Sequence, residues 1–320
     1  MSTAEQIAPV VDQPANDQIG VVQPPMTLVP GEDVGRRRMR ALLGWFDDQE
    51  AIAAQLGRMP GLTEDLSAAR ARAADYRNRV ALRPPHVSQD PEVSIGDAPL
   101  LARIENRLDV KSAFAGMRWR PAFVDLRRVL SFQKFINIPE DDVPTPPHAD
   151  DLPGLYEFCL PTTQPLPPVG AFTDPDGKGF TISSLNPNLR IGGAQVSGVQ
   201  LQRGDGLPPM MAQAVTIFVS MGASYLQVVR YRDRCFIRDG YHRATRLLRG
   251  GVHVVPCIFI EAASLADVSA PAGAFGHETI FGSHPPRLVD FWEDDVAAEV
   301  TQLSTRKVVR IRGDEFVVAR

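Results

Sequence analysis

Cysteine is scarce in this chain and its three copies stand far apart, at Cys159, Cys235 and Cys257. No Cys-x-x-Cys pair occurs. His86, His148, His242, His253, His277 and His284 are scattered without a four-spaced helical pair, so no zinc site is expected. His277-Glu278 with His284 lacks the helical spacing of a metalloprotease. Neither a Walker-type loop nor a Gly-x-Ser-x-Gly elbow is present. No apolar run approaches about eighteen residues, which excludes a transmembrane helix on length. Met1–Gln23 is polar and lacks a basic start followed by an apolar stretch, so no secretory signal is expected. Cys235 and Cys257 lie in apolar runs, where a free thiol behaves as a small hydrophobe. Disulfides are therefore not expected, and a reducing, cytoplasmic location is. The net charge of −4 argues against broad attraction to DNA or to a membrane surface.

Against these absences stand 320 residues with 44% apolar and 22% charged side chains, ordinary values for a globular protein. Residues 1–33, rich in Pro, Gln, Asp and Val, read as a disordered tail. Residues 34–142 read as a helical region. Met39, Leu42, Phe46, Ala53 and Leu56 fall near one helical stripe, stopped by Gly57 and Pro60-Gly61. Thr63 is a plausible N-cap for a second helix carrying Leu66, Ala69, Ala73, Tyr76 and Val80, closed by Pro84-Pro85. The resulting hairpin, about 34–82, has a narrow stripe of small residues that would pack on the rest of the chain or on another copy. Further helical or mixed segments are expected at Leu100–Leu108 and Leu126–Phe135. The basic stretch Met117–Lys134 carries Trp119, Phe123 and Phe132, aromatics that either stack on bases or anchor the segment to a core. Residues 143–190, rich in Pro, Asp and Gly, read as a linker or ordered loop region. Within it Asp174-Pro175-Asp176-Gly177 is a turn, without the remaining ligand spacing of a calcium loop.

From 191 onward the pattern is that of a small mixed sheet with helices. Ala214–Ser220, Tyr225–Tyr231 and Arg234–Arg238 are strand-like, with Arg232-Asp233 as a tight turn between the last two. Tyr241–Arg249 reads as a short helix stopped by Gly250-Gly251, and Val254–Ile260 as a buried strand. Val308–Ile311 and Phe316–Ala319 flank the turn Arg312-Gly313-Asp314-Glu315 as another hairpin.

Charge is unevenly spread. Between Arg230 and Arg249 stand seven arginines and only two acids, Asp233 and Asp239. In the middle lies Asp239-Gly240-Tyr241-His242-Arg243, where a strand turns into a helix. A helix N-terminus offers unpaired backbone N–H groups and a partial positive charge, a ready anion site. Gly240 admits a positive φ and a close backbone approach. His242 adds a switchable donor and Arg243 a bidentate fork. Tyr241, Ala244, Leu247 and Leu248 share the core-facing side, whereas His242, Arg246 and Arg249 lie on the polar side with Arg243 at its margin. Cations at a helix N-terminus are unfavourable by a few tenths of a kcal/mol each, and an anion would reverse that. A structural account exists beside this one, with Asp239 as an N-cap, Tyr241 in the core and the cations on a solvated face.

Val229–Ile260 resembles the nucleotide-binding core of the ParB/sulfiredoxin superfamily, through Gly240-Tyr241-His242-Arg243, then Gly250-Gly251, then Val254-Val255-Pro256. Free-serine kinases related to that fold similarly carry Asp-Gly-x-His-Arg, matched by Asp239 to Arg243. The similarity spans about 211–262. It implies an α+β fold of ParB/sulfiredoxin type, with Gly240, His242, Arg243 and Arg246 holding a nucleotide such as ATP, ADP or CTP with Mg²⁺. Asp239 and His242 would be the catalytic candidates for phosphoryl transfer or nucleotide hydrolysis. Departures matter too. The catalytic cysteine of sulfiredoxin and the glutamate of the partition proteins would both fall at Tyr241, so neither chemistry is expected. Between 160 and 238 there is no Glu, only Asp174, Asp176, Asp205 and Asp233, so a base for a kinase is hard to find. No helix-turn-helix pattern follows 262, and nucleic acid is not an expected partner. The alternatives are a non-catalytic interaction or scaffold protein that keeps the fold, with self-association through the 34–82 hairpin, and a ParB-like nuclease.

Overall fold

The computed structural model describes residues 36–313, apart from 57–65, 96, 139–144, 163–169, 175–176, 178, 185–188, 202–207, 222–223, 269–272 and 304–306. Contacts divide the chain into Met1–Val34 and Gly35–Arg320, and all described residues lie in the second unit. The expected tail, the Thr63 cap, the Gly57 and Pro60-Gly61 stop and the strand at Phe316–Ala319 fall outside the described residues.

In chain order the elements are β1 (Arg36–Ala41), α1 (Asp48–Leu56), α2 (Leu66–Ala81), α3 (Ala98–Glu105), α4 (Leu108–Ala113), β2 (Trp119–Asp125) and β3 (Phe135–Asn137). Then come α5 (Leu152–Cys159), β4 (Gly170–Thr173), β5 (Gly179–Ser184), β6 (Leu189–Leu201), β7 (Met210–Met221), β8 (Gln227–Tyr231) and β9 (Arg234–Asp239). The series closes with α6 (Tyr241–Arg249), β10 (Val254–Glu261), α7 (Leu265–Val268), α8 (His277–Phe281), β11 (Ala298–Leu303) and β12 (Lys307–Arg312). Among the described residues the fold is mixed α+β, with four small sheets. No described helix is long and apolar enough to cross a membrane.

A four-stranded sheet of order β2-β10-β8-β9 carries the core. β10 runs antiparallel to β2 and parallel to β8, and β8 and β9 form a hairpin. Strands covered on both faces read as continuous apolar runs, and β10 is buried from Val255 to Ile260. Pro256 is tolerated in this central strand because of where β8 begins. Ile258 donates to Leu226 on the β8 side, and pairing with β8 starts only at Ile258, so the donor missing at Pro256 has no ladder partner there to lose.

The stretch 34–142 is less helical than its sequence suggests. It holds α1–α4, but also β1, β2 and β3. Met39 sits in β1 rather than on a helix, because β11 and β3 flank that strand with ladder partners on both sides. Leu126–Phe135 forms a single 3-10 turn at Leu126–Arg128, and Phe135 opens β3. Tertiary pairing overrides weak local propensity in both places. The aromatics of Met117–Lys134 are anchors: Phe123 and Phe132 are buried, and Phe132 stacks on Phe236 with centroids 4.3 Å apart. Residues 143–190, expected as linker or loop, contain α5, β4 and β5, and β6 begins at Leu189. β12 pairs with β5, so a strand from this stretch joins one from the end of the described chain.

The small-residue stripe of the α1–α2 hairpin is spent inside the chain. Ala51, Ala54, Ala69, Ala73 and Val80 are buried, and Val80 lies against Gly44 of the 3-10 turn Leu43–Trp45. What this hairpin shows to solvent includes Arg70 and Arg72. Its apolar stripe is therefore not available to a second copy. All three cysteines are free and buried, and burial pushes the Cys159 thiol up to about 12 and that of Cys235 up to about 11.

Candidate anion site at the start of helix α6

β9 delivers the motif and α6 receives it. Asp239 is the last residue of the strand, Gly240 is the N-cap with φ +86°, and the helix runs from Tyr241 to Arg249 as its spacing predicts. Asp239 is thus not the helix cap. Its Oδ1 accepts from the Gly240 amide at 2.7 Å, and Oδ2 is 3.5 Å from Nε2 of buried Gln227. Gln227 in turn accepts from Arg238 at 2.8 Å. Gly250 and Gly251, the latter at φ +77°, end the helix.

The apolar side of α6 is fixed firmly. Tyr241, Ala244, Thr245 and Leu247 are buried, and Leu248 is partly so. The Tyr241 hydroxyl donates to the Ile237 carbonyl at 2.9 Å and accepts from the amides of Phe132 at 2.8 Å and Gln133 at 3.3 Å. Burial drives its pKa well above the normal phenol value. Trp292 Nε1 donates to the Thr245 carbonyl at 2.9 Å. The first turn is accordingly held rigid from below.

On the other side the cations gather. His242 is exposed, yet its pKa is lowered by desolvation from surrounding side chains and by the charges of Arg37, Arg246 and Arg243. Arg243 is half-buried and donates to the Ser224 carbonyl. Its pKa is lowered by burial, against the opposing pull of Cys159 and Asp239. Arg246 lies over the Phe158 ring with its guanidinium carbon 5.4 Å from the centroid, and burial lowers its pKa. Arg249, at the far end, lies over Trp292.

The expected residues Asp239, Gly240, His242, Arg243 and Arg246 therefore come together around one turn. Arg243 differs from expectation, since its guanidinium is tied to backbone. Arg37, Arg238, Gln227 and Phe158 belong to the same neighbourhood and were not foreseen. The run Arg36-Arg37-Arg38 was the only sequence signal for Arg37, and nothing local tied it to a turn two hundred residues away.

A cavity lies elsewhere. About 490 Å³ in volume, it is lined by Ile95, Arg127, Ala149, Asp150, Leu152, Gly251, His253 and Val254, at the C-terminal end of α6. No group of His, Cys, Asp and Glu suited to a metal ion occurs among the described residues.

Compared with known protein families, curated proteins and solved structures, the chain matches none.

Proposed function

We propose that this chain binds a phosphate-bearing small molecule, a nucleotide foremost, at the N-terminal turn of α6. The observation that carries this reading is the charge of Arg37, Arg246 and Arg243 acting on His242 in the first turn of a helix, with Asp239 as the motif's one carboxylate. Cations crowded at the positive end of a helix repel one another and the helix, and an anion relieves both. The resemblance of Asp239–Arg243 and Val254-Val255-Pro256 to the ParB/sulfiredoxin pattern supports a nucleotide over a simple anion. ATP, ADP or CTP with Mg²⁺ are the ligands to try first.

If chemistry follows binding, it is phosphoryl transfer or nucleotide hydrolysis, in which positioning and charge neutralisation do most of the work. Asp239 is the nearest carboxylate. It would have to release the Gly240 amide to act as a base or hold Mg²⁺, and His242, held neutral near pH 7, is the second candidate for proton transfer.

Thermal shift with ATP, ADP, CTP and inorganic pyrophosphate, each with Mg²⁺, tests the reading. A ligand at 100 times its Kd adds about 2.7 kcal/mol of stability. Arg246→Ala and Arg243→Lys should abolish or weaken the shift, whereas Arg249→Ala should leave it intact. Absence of a shift with all four ligands overturns the reading. Phosphate release by a chain that does bind would make it an enzyme.

A further inference from the structure

The cavity of about 490 Å³ at the C-terminal end of α6 has the size and the mixed lining of a small-molecule site. Its apolar wall comes from three places in the chain. Ile95 precedes α3, Leu152 opens α5 and Val254 opens β10, and all three are only partly buried. The polar wall comes from Arg127 and His253, with Asp150 at the exposed rim. Asp125, buried at the end of β2, orients the arginine: Nε donates to Oδ1 at 2.9 Å and Nη2 to Oδ2 at 2.7 Å. Nη1 of Arg127 has no hydrogen-bond partner among the described residues. Asp125 also serves Arg128, whose Nε lies 3.6 Å from Oδ2, so two arginines share one carboxylate and a positive charge is left over. Asp150 does little to cancel it, being fully solvated and beside His148 at 3.3 Å.

A second, independent observation is an unmet donor next to this cavity. Tyr156 follows Leu152 by one turn of α5 and shares its side of the helix. Its ring meets Phe123 edge-on, with centroids 5.8 Å apart. Phe123 is opposite Pro256 in the β2–β10 register, and Asp125 is opposite Val254, so all four belong to one face of the sheet. Along α5 and along β10 alike, Tyr156 is thus the next neighbour inward from the cavity wall. Its hydroxyl is the one buried side-chain oxygen without a hydrogen-bond partner among the described residues. Burial, and then the charge of Asp97, raise its pKa, so at neutral pH it keeps a proton to donate. Buried donors are paired as a rule, and an exception of this kind points to a missing acceptor.

We propose that this cavity binds a small elongated carboxylate whose apolar body carries an oxygen acceptor, a keto or ether group. The carboxylate meets Nη1 of Arg127 and the imidazole of His253, the body lies on Ile95, Leu152 and Val254, and the inner oxygen accepts from Tyr156. One free guanidinium nitrogen and one imidazole match the two oxygens of a carboxylate. A phosphate brings a third oxygen and a second charge, for which the cavity wall has no further cation. Leu152 and Tyr156 are roughly 6 Å apart along the helix axis, a span that a chain of a few carbons covers. α6 puts roughly 12 Å between this cavity and the turn at Gly240, so the site is separate from the one proposed for a nucleotide.

Calorimetric titration and saturation-transfer NMR of the full chain with 3-benzoylpropanoate test the proposal. The comparison compounds are 3-benzoylpropanamide, which lacks the charge, and 4-phenylbutanoate, which lacks the keto oxygen. The keto acid should bind with a millimolar or tighter dissociation constant. The amide should bind at least about tenfold more weakly, and 4-phenylbutanoate about fivefold more weakly. Arg127→Gln should remove the advantage of the acid over the amide. Should that variant fail to fold once Asp125 loses its partner, Ala149→Trp provides the second measurement. Ala149 is exposed in a turn at the cavity wall, so the indole should fill the space and abolish binding with unchanged far-ultraviolet dichroism. Tyr156→Phe should leave the melting temperature of the free chain unchanged, the hydroxyl having no partner to lose, and bring the keto acid down to the level of 4-phenylbutanoate. The proposal is overturned by a keto acid that does not bind, or by analogues that bind as tightly. Binding that survives Ala149→Trp, displacement by inorganic pyrophosphate, or a destabilised Tyr156→Phe chain also overturns it. None of these outcomes requires that a nucleotide bind at Gly240.

Discussion

Gly240 lies flat against Leu226: a Cβ placed on the glycine would stand 2.9 Å from the Leu226 Cα. Leu226 cannot retreat. Its amide donates to the Cys159 carbonyl at 2.8 Å and its carbonyl accepts from Ile258 at 2.9 Å, which fixes it between α5 and β10. The turn that opens α6 is thus defined by a backbone-to-backbone contact as well as by a left-handed φ.

Two separate penalties follow for Gly240→Ala. The positive φ costs about 1–2 kcal/mol for an L-residue, and displacing backbone adds to it. A loss of roughly 2–4 kcal/mol in urea unfolding is expected, of the size seen when strain or overpacking is forced on a core. Gly240→Asn separates the two causes. Asparagine tolerates the left-handed region, so a loss nearly as large identifies the Leu226 contact as the greater part.

Tyr241→Phe should be costly for a conservative change. It leaves the Phe132 and Gln133 amides without their acceptor and the Ile237 carbonyl without that donor. Unsatisfied buried groups of this kind cost about 1–3 kcal/mol, measurable as a fall in the denaturation midpoint with an unchanged m-value.

Asp290 is fully buried and accepts from Arg83 at 2.9 Å, from Arg287 Nη2 at 2.7 Å and from the Arg287 amide at 2.7 Å. Asp290→Ala strands two guanidinium groups in a partly desolvated place. Removal of one partner from a buried pair costs about 3–5 kcal/mol, reduced here because Glu293 also contacts both arginines. Thermal unfolding should show the loss, and Asp290→Leu should not be better tolerated.

The pH dependence has a definite sign. The folded pKa of His242 is below 6.5 and that of the unfolded chain is near it. The unfolded state therefore binds the proton first as pH falls, so stability is full above 6.5 and is lost as pH drops towards the folded pKa. His86 shifts the same way, through burial and the charges of Arg234 and Arg287. The melting temperature should fall between pH 7.5 and 5.5, less steeply in His242→Gln and least in a double variant with His86→Gln. A bound phosphate would raise the His242 pKa, so affinity should increase over the same interval. Calorimetry in two buffers of different ionisation heat reads the accompanying proton uptake.

Local pattern carried the region around the site. Strand, turn, helix and strand from Tyr225 to Ile260 fall where alternation, the Arg232-Asp233 turn and the Gly250-Gly251 stop predict them. Each signal there is short-range, and burial of β10 on both faces made its apolar run unambiguous. Elsewhere the deciding contacts are remote. β1 is a strand because of β11 and β3, which periodicity cannot express, and Gly44 leaves the room in which Val80 of α2 sits. The site was legible in its motif and illegible in its surroundings. Arg243 spends its fork on the Ser224 carbonyl, and Arg37 arrives from another sheet.

β1 lies beside β11 along its whole length, with Arg38 and Glu299 joined across 261 positions of sequence. At 5–20 residues per second, a ribosome needs roughly 13–50 s to make the second strand after the first. For most of that interval Met39 and Ala41 have β3 on one side and lack Val300 and Ala298 on the other. Any early stop in translation leaves the sheet that closes this molecule missing a side, so a truncated product should be a substrate for chaperones and proteases rather than a smaller working protein.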